Sequence, residues 1–414
     1  MAVPVIERPL DQLKQELQLL QRQERVIAAR GNMLAFGHMM MPDTSDPDDA
    51  EKSEYQVSAP AKCLCGLVEE IESGSKNRVA VSMPPQHGKT INLSIHGVAW
   101  ILGRNPKARI VITTYNQDRA KELGKDLMTL FETKQFQQVF PDLKFDDRAY
   151  NQLFMQTTKG GRVMLAGAGG AITGKTADYF FIDDPIKGEE DESDLTPTAL
   201  ERLWKWFFKI AFSRGSKKTR ILITHTRWAE DDLIGRLCDP NHPERNKRFK
   251  NISKKWTYIN LPAVITDPAL AEVLQLKLKP SNDNDVIEQF GTAPMCALWA
   301  QNKDLAFFAE WKQGDERSFS ALAMGNPAPE NGIYFLKENL VEYNSIDQLP
   351  KNLTFYGASD HAVSLKKARD YTVIGCIGID ESDNIWILPE LVWDRMETHD
   401  TVESILASMV LRKP

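Results

Sequence analysis

The stretch Val79-Ala80-Val81-Ser82-Met83-Pro84-Pro85-Gln86-His87-Gly88-Lys89-Thr90 decides how this chain is read. An apolar run of β type enters a short loop that closes on Gly-Lys-Thr, and a helical pattern follows from Ile91. That is the layout of a phosphate-binding loop. Backbone N–H groups and a helix N-terminus face an anion, the lysine reaches the outer phosphates, and the threonine hydroxyl sits on Mg²⁺. The usual pattern starts with glycine; here Met83 takes that place, and Pro84 and Pro85 stiffen the loop. The reading gives Pro85, Gln86, His87, Gly88, Lys89 and Thr90 to ATP, with Thr90 also on the metal. Such a loop needs an acidic partner elsewhere in the chain.

The sequence supplies one. Tyr179-Phe180-Phe181-Ile182-Asp183-Asp184-Pro185 reads as a buried strand that delivers two carboxylates at its C-terminal end. In a parallel sheet that is the edge where the phosphate loop also lies. Asp183 is expected to hold the hydrated Mg²⁺ together with Thr90, and Asp184 to orient and activate the attacking water. The bland alternative is that Asp-Asp-Pro only starts a turn. A further strand, Arg220-Ile221-Leu222-Ile223-Thr224, ends in His225-Thr226-Arg227-Trp228. Thr224, His225 and Thr226 are candidates for a coupling element that senses the γ-phosphate and relays its loss to moving parts.

Around these motifs the chain alternates apolar β runs with longer helical stretches from Tyr55 to about Pro262, the signature of a mainly parallel α/β sheet. Strands are expected at Arg78–Ser82, Arg109–Thr114, Arg162–Ala166, Tyr179–Ile182 and Arg220–Thr224. Helices are expected over Ile91–Leu102, Gln117–Phe131 and Pro197–Ser213, the last capped by Asp194 or Thr196. Its aromatic cluster, Trp204, Trp206, Phe207 and Phe208, reads as core packing rather than a base-stacking surface. A second Gly174-Lys175-Thr176 lacks a following helix, so it reads as a mobile glycine-rich loop facing nucleotide or DNA and not as a second nucleotide site.

Residues 1–54 open with Leu10, Leu13, Leu17 and Leu20 at helical spacing. They read as an amphipathic helix that covers its own domain, with partner docking as the alternative. From 263 to 350 periodicity weakens, and a connecting region with few regular elements is expected. Strand character returns at Leu353–Ala358, Thr372–Ile379 and Ile385–Leu388, the last two forming a hairpin, before a helix after Thr398.

Composition narrows the class. The 414 residues are 42% hydrophobic and 26% charged, as expected of a globular protein of two or three domains. No apolar run approaches the roughly 18 residues that span a bilayer. Five scattered cysteines read as reduced thiols. A net charge of −6 leaves any DNA contact to local basic patches.

The ordered set resembles the large terminase subunits of tailed bacteriophages. It runs Pro84-Pro85-x-His87-Gly88-Lys89-Thr90, Thr173-Gly174-Lys175-x-Ala177-Asp178, Ile182-Asp183-Asp184-Pro185, then Thr226-Arg227-Trp228-x-x-Asp231-Asp232-Leu233. Beyond the ATPase stretch, Trp256 with Leu261-Pro262, Arg317 to Leu322, Phe355 to Asp360, and Arg369 to Thr372 have family counterparts.

The resemblance implies a RecA/ASCE-like P-loop ATPase domain at 55–262, a connecting region at 263–350 and an RNase H-like nuclease domain from 351. It implies an ATP-driven motor that moves double-stranded DNA into a procapsid. It further implies partnership with the portal protein and a small terminase subunit, and a homo-oligomeric ring on the portal. The place would be the host bacterial cytoplasm, transiently at the portal vertex. Asp360 resembles the first metal-binding and catalytic acid of the nuclease site, which would take Mg²⁺ or Mn²⁺, with Asp370 as an auxiliary.

Two departures from the family pattern follow. Gln86 stands where members often carry an arginine, so an arginine finger would come from elsewhere; Arg119, Arg148 and Arg162 are candidates. The chain stops at Pro414, before the remaining nuclease acids are met, so little or no DNA cleavage is expected of it. Two competing readings are a helicase- or translocase-type ATPase, which would need a second RecA-like domain, and a non-catalytic prophage remnant.

Overall fold

The computed structural model describes residues 10–45, 52–168, 170, 176–188, 195–240, 242, 252, 254–327, 341–343, 345–360, 372–382, 384–394 and 396–412. Two compact units divide at Ile333/Tyr334. In the first, three helices, α1 (Leu10–Gly31), α2 (Met33–Met40) and α3 (Ala59–Ser73), precede strand β1 (Arg78–Ser82). The phosphate-loop helix begins as a π-wound segment, Thr90–Gly97, and continues as α4 (Val98–Arg104). Then come β2 (Arg109–Thr114), α5 (Gln117–Glu132), α6 (Lys134–Val139), β3 (Phe145–Asn151), β4 (Phe154–Thr157), β5 (Arg162–Gly167) and β6 (Tyr179–Asp183). Helix α7 (Pro197–Trp206), β7 (Arg220–His225), α8 (Leu233–Cys238) and β8 (Thr257–Asn260) complete the sheet layer.

The eight strands run in the order β3-β4-β5-β2-β6-β7-β1-β8. From β5 to β8 all neighbours are parallel, and β3 and β4 add an antiparallel edge. One strand, β7, lies between the loop-bearing β1 and the acid-bearing β6. This is the mainly parallel α/β sheet expected from the alternation of strands and helices. Its inner strands β1, β2, β6 and β7 are buried and largely apolar because both faces are covered. Val79, Val81, Ile110, Ile112, Phe181 and Leu222 enter one core with α3, α4 and α5. Their sequence neighbours Ala80, Val111, Phe180, Ile182, Ile221 and Ile223 enter the other with α7 and α8. The period of two along each strand does this sorting.

The expected strands are all present, with β5, β6 and β7 each one residue longer. Thr196, not Asp194, caps α7: its hydroxyl accepts from Ala199 N–H, while Asp194 lies outside the described residues. After Trp206 that helix unwinds through a π turn, Phe207–Ala211, and a 3₁₀ turn, Phe212–Arg214. Trp206 and Phe207 are buried, and Trp204 and Phe208 pack against them, as expected of core aromatics.

Two expectations need correcting. The leucine stripe of α1 is not covered: Leu13, Leu17 and Leu20 are exposed, and only its last turns enter the core, through Ala29. Trp100 fixes that end, donating from its indole to the Ala29 carbonyl. Nor are regular elements sparse after residue 263. Helices Pro268–Val273, Asn284–Phe290 and Leu305–Gly314, a π turn at Phe319–Ala323 and the antiparallel strand pair β9 (Val264–Ile265) and β10 (Cys296–Ala297) occupy 263–323. They share a core of Val264, Val286, Met295, Phe308 and Phe319. The sequence hides this because its helices are short and separated by turn-rich stretches, so helical periodicity never builds up.

The second unit contains antiparallel strands β11 (Thr354–Asp360), β12 (Thr372–Ile379), β13 (Ile385–Ile387) and β14 (Val392–Asp394), and a helix, Thr398–Arg412. Strand β12 is central, pairing with all three others, and the β12–β13 hairpin falls where the sequence places it. Asp380 closes its turn, accepting from the Asn384 N–H and the Trp386 indole N–H.

Candidate active site

Register brings the three motifs to one edge of the sheet. Ser82 at the end of β1 lies opposite His225 at the end of β7, and Thr224 of β7 lies opposite Asp183 at the end of β6. The loop between Ser82 and Thr90 turns through two left-handed residues, Gln86 at φ 61° and Gly88 at φ 86°. At Gly88 only glycine suits. A Cβ there would stand 2.8 Å from the Asn92 side-chain nitrogen, which donates to the Gly88 carbonyl. Asn92 is in turn held by the Tyr55 hydroxyl at 2.5 Å, so α3's leading segment braces the loop through one buried amide.

Lys89 is buried, and its ammonium donates to the carbonyls of Met83 (3.0 Å) and Pro84 (3.2 Å) and to the Thr226 hydroxyl (2.7 Å). Among the described residues no carboxylate reaches ion-pair distance of it. Burial lowers its pKa, while Asp184 and Asp183 work in the opposite direction. A desolvated cation facing neutral oxygens and two nearby acids is a fitting place for an anion to complete.

Asp183 is buried and accepts from the Thr224 hydroxyl at 2.7 Å. Burial, and then the neighbouring Asp184, raise its pKa. Asp184 sits at φ 43°, in a left-handed conformation that Asp adopts more readily than most residues. Its carboxylate accepts from the Thr226 N–H at 2.9 Å and is one-third exposed. Burial would raise its pKa, but Lys89 and His225 outweigh this and bring it down to about 2. Two adjacent carboxylates, one destabilised in its charged form, suit a divalent cation that needs few protein ligands and keeps its waters. Thr90, partly exposed at the start of the π-wound segment, lies at the same edge.

Thr224, His225 and Thr226, expected as a coupling set, are thus bonded into the site. His225 is fully buried between two acids, with Nδ1 3.9 Å from Asp184 and Nε2 3.5 Å from Asp232. Neither ring nitrogen has a hydrogen-bond partner. His87 is buried within the loop, with Nδ1 2.8 Å from the Pro85 carbonyl, its ring stacked on Phe308 and edge-on to Trp299. Burial holds its pKa down to about 4, so it is neutral at pH 7.

Sequence reasoning did not single out the shell behind these residues. Arg227 is completely buried and pairs with Asp232 at 2.7 Å and Asp239 at 2.6 Å. Tyr258 and Asn260 of β8 both bond the Ser82 hydroxyl, and Asn260 reaches the Met324 carbonyl. Asn302 donates to the Gln86 carbonyl at 3.0 Å, so the 263–327 region rests on the phosphate loop. Beside it opens a cavity of about 520 Å³ lined by Gln56, Val57, Leu276, Lys277, Trp299 and neighbours. The polar run after β7 signals the Arg227 shell; contacts from Asn302 and Trp299 carry no local sequence signal.

The remaining candidates lie apart. Arg119 on α5 pairs with Glu122, and its field reaches Asp183. Arg148 pairs with Asp146 on the sheet-edge strand β3, and Arg162 starts β5 at the opposite edge of the sheet. Asp360 ends β11, exposed and opposite Val373. Lys175 and Asp370 lie outside the described residues.

A family model described as "Terminase large subunit, T4likevirus-type, N-terminal" matches residues 81–341. The chain belongs to that family of terminase large subunits. The match starts in β1 and takes in the phosphate loop, both acids, the β7 set and the 263–327 region. No curated protein matches the chain. Among solved structures, the bacteriophage HK97 large terminase aligns over 87% of this chain and 67% of its own, with 14% identity and a TM-score of 0.41. The ATPase domain of the Thermus phage P74-26 large terminase covers 50% of this chain and 82% of its own, at 13% identity and TM-score 0.33. A large terminase from a thermophilic bacteriophage, in complex with ADP, covers 83% of this chain and 73% of its own, at 12% and 0.33. Membership rests on the sequence match.

Proposed function

We propose that this terminase chain hydrolyses ATP and uses the energy to drive double-stranded DNA into a procapsid. The observation that carries the reading is the buried Lys89, held by neutral oxygens at the sheet edge where Asp183, Asp184 and Thr226 converge. ATP phosphates would lie on the loop from Pro85 to Thr90, with Lys89 leaving the Met83 and Pro84 carbonyls to bond them. The cavity lined by Gln56 and Trp299, continuous in sequence with Asn302 on the loop, offers the nucleoside end a place.

Thr90 and Asp183 would hold Mg²⁺, which when bound offsets charge on the phosphates. Asp184 is the water-orienting acid. While Lys89 stands near it, its carboxylate is a poor proton acceptor; transfer of Lys89 to phosphate removes the charge that depresses its pKa, and it becomes a better base. Thr226 touches both groups, donating its N–H to Asp184 and accepting from Lys89. A change in either displaces β7's end, which supports the coupling role of Thr224, His225 and Thr226.

The portal, a small terminase subunit and neighbouring copies of this chain in a ring are the partners that family membership supports. Asp360 is the candidate metal-binding acid of a DNA-cutting site in the second unit. The test is ATP turnover with Asp184→Asn. We expect kcat to fall about 10²- to 10⁴-fold, with nucleotide binding kept. Unchanged kcat would refute the assignment.

A further inference from the structure

At the edge of the sheet opposite the nucleotide site, a groove opens among the N-terminal ends of β1, β2, β6 and β7. Five cations line it, Lys107, Arg109, Lys217, Lys218 and Arg220, against one acid, Asp178. In a chain of net charge −6 this is a strong local reversal of sign. Nearby acids are already engaged: Asp178 by Arg109, Glu70 by Lys76 and Glu72 by Arg104. Lys107, Lys217 and Lys218 are exposed and have no ion pair among the described residues.

Arg220 is built into the groove rather than waving from it. Its guanidinium lies 5.0 Å above the Tyr179 ring and donates to the Tyr179 hydroxyl at 3.2 Å. Its other side rests on the Gly74 turn, where a Cβ would come within 2.9 Å of it. Its buried Nε has no partner.

We propose that this groove binds the phosphate backbone of duplex DNA, independently of sequence. The lining has cations, the amides of Asn77 and Asn105 and the hydroxyl of Ser73, and no aliphatic side chain. Phosphate contacts need only charge and donors. The one aromatic ring in the lining, Tyr179, carries the Arg220 guanidinium over its face, so the groove presents charge and donors to a partner. Lysines on turns, acting as point charges, suit a track along which DNA slides. The inference rests on the DNA-motor reading and adds to it the surface that holds the duplex.

The test is binding of a fluorescent random-sequence duplex by the full chain and by Lys107→Ala/Lys217→Ala/Lys218→Ala, across a salt series. ATP turnover without DNA is measured in parallel and should be equal in both, since these lysines are remote from the nucleotide edge. We expect affinity to fall at least about tenfold, and the slope of log affinity against log salt to shrink by roughly 2.7, from about 0.9 per lost contact. Equal binding and equal slope in the two proteins would overturn this inference and leave the motor reading standing. A parent chain that turns over ATP but binds no duplex would overturn both. If the variant keeps its DNA affinity but loses binding to polyglutamate, the groove is an acidic-protein site and the inference fails.

Discussion

At Lys89 the ammonium is desolvated yet paired only with neutral oxygens, while two acids lie near enough to feel its charge. This makes the lysine and Asp184 one electrostatic unit. In the proposed site, moving the lysine to a phosphate would weaken its pull on the acid's pKa. A separate consequence of burial concerns His87 and His96, whose pKa values are both brought down to about 4. The unfolded chain, with histidines near 6.5, binds more protons than the folded one between about pH 6.5 and 4. Stability supplied by these neutral imidazoles is therefore full above pH 6.5 and is lost as pH falls toward 4. His96 is the better probe because it lies in the core beside Phe36 and Tyr55, away from the phosphates. Thermal melts from pH 7 to 4.5 should show a steadily falling Tm, and His96→Leu should flatten that dependence. An unaltered slope in the variant would show that His96 takes up its proton equally in the folded and unfolded chain, against the role argued for it.

Among the elements, β7 and the turn after it join both acids, Lys89 and Arg227, and here the sequence was only half readable. The expected β-run at Arg220–Thr224 was legible because strands covered on both faces are uninterruptedly apolar, and the same holds for β1, β2, β5 and β6. Strand β8 was not, because Tyr258 and Asn260 bring polar groups to Ser82 and break the apolar run. The edge hairpin β3–β4 mixes Asp146, Asp147, Arg148 and Asn151 into its strands, since an edge is wet. Gly88-Lys89-Thr90 and Asp183-Asp184 were legible because each is a contiguous motif with a fixed chemical role. Asn302, Trp299 and Phe308 were not, because their partners at Gln86 and His87 lie some two hundred residues away.

Behind β7, Arg227 neutralises two buried acids. Arg227→Ala would remove the guanidinium that pairs with the fully buried Asp232. We expect a loss of about 3–5 kcal/mol from the first unit, read as a lower urea midpoint by tryptophan fluorescence. Arg227→Lys should recover part of it, because one ammonium cannot span both carboxylates as the guanidinium fork does. A midpoint within error of the parent's would contradict the role assigned to this pair.

For the whole molecule, the division at Ile333/Tyr334 separates the two proposed chemistries. All residues proposed for nucleotide, Mg²⁺ and coupling fall in the first unit, and Asp360 falls in the second. Asp360→Ala should therefore leave ATP turnover at the parent level, while any metal-dependent nicking of plasmid DNA by the chain should disappear with it. Nicking that survives the substitution would remove Asp360 from the cutting site. The proposed DNA groove and the proposed nucleotide site lie at opposite ends of the same strands, with Arg220 at the start of β7 and His225 at its end. The central claim remains the ATP site itself. The most direct test is steady-state ATP hydrolysis by the parent chain and by Lys89→Ala, with folding checked by circular dichroism. We expect the substitution to cut turnover by about 10²- to 10³-fold in a folded protein. Parental turnover in Lys89→Ala would contradict a phosphate-binding role for this lysine.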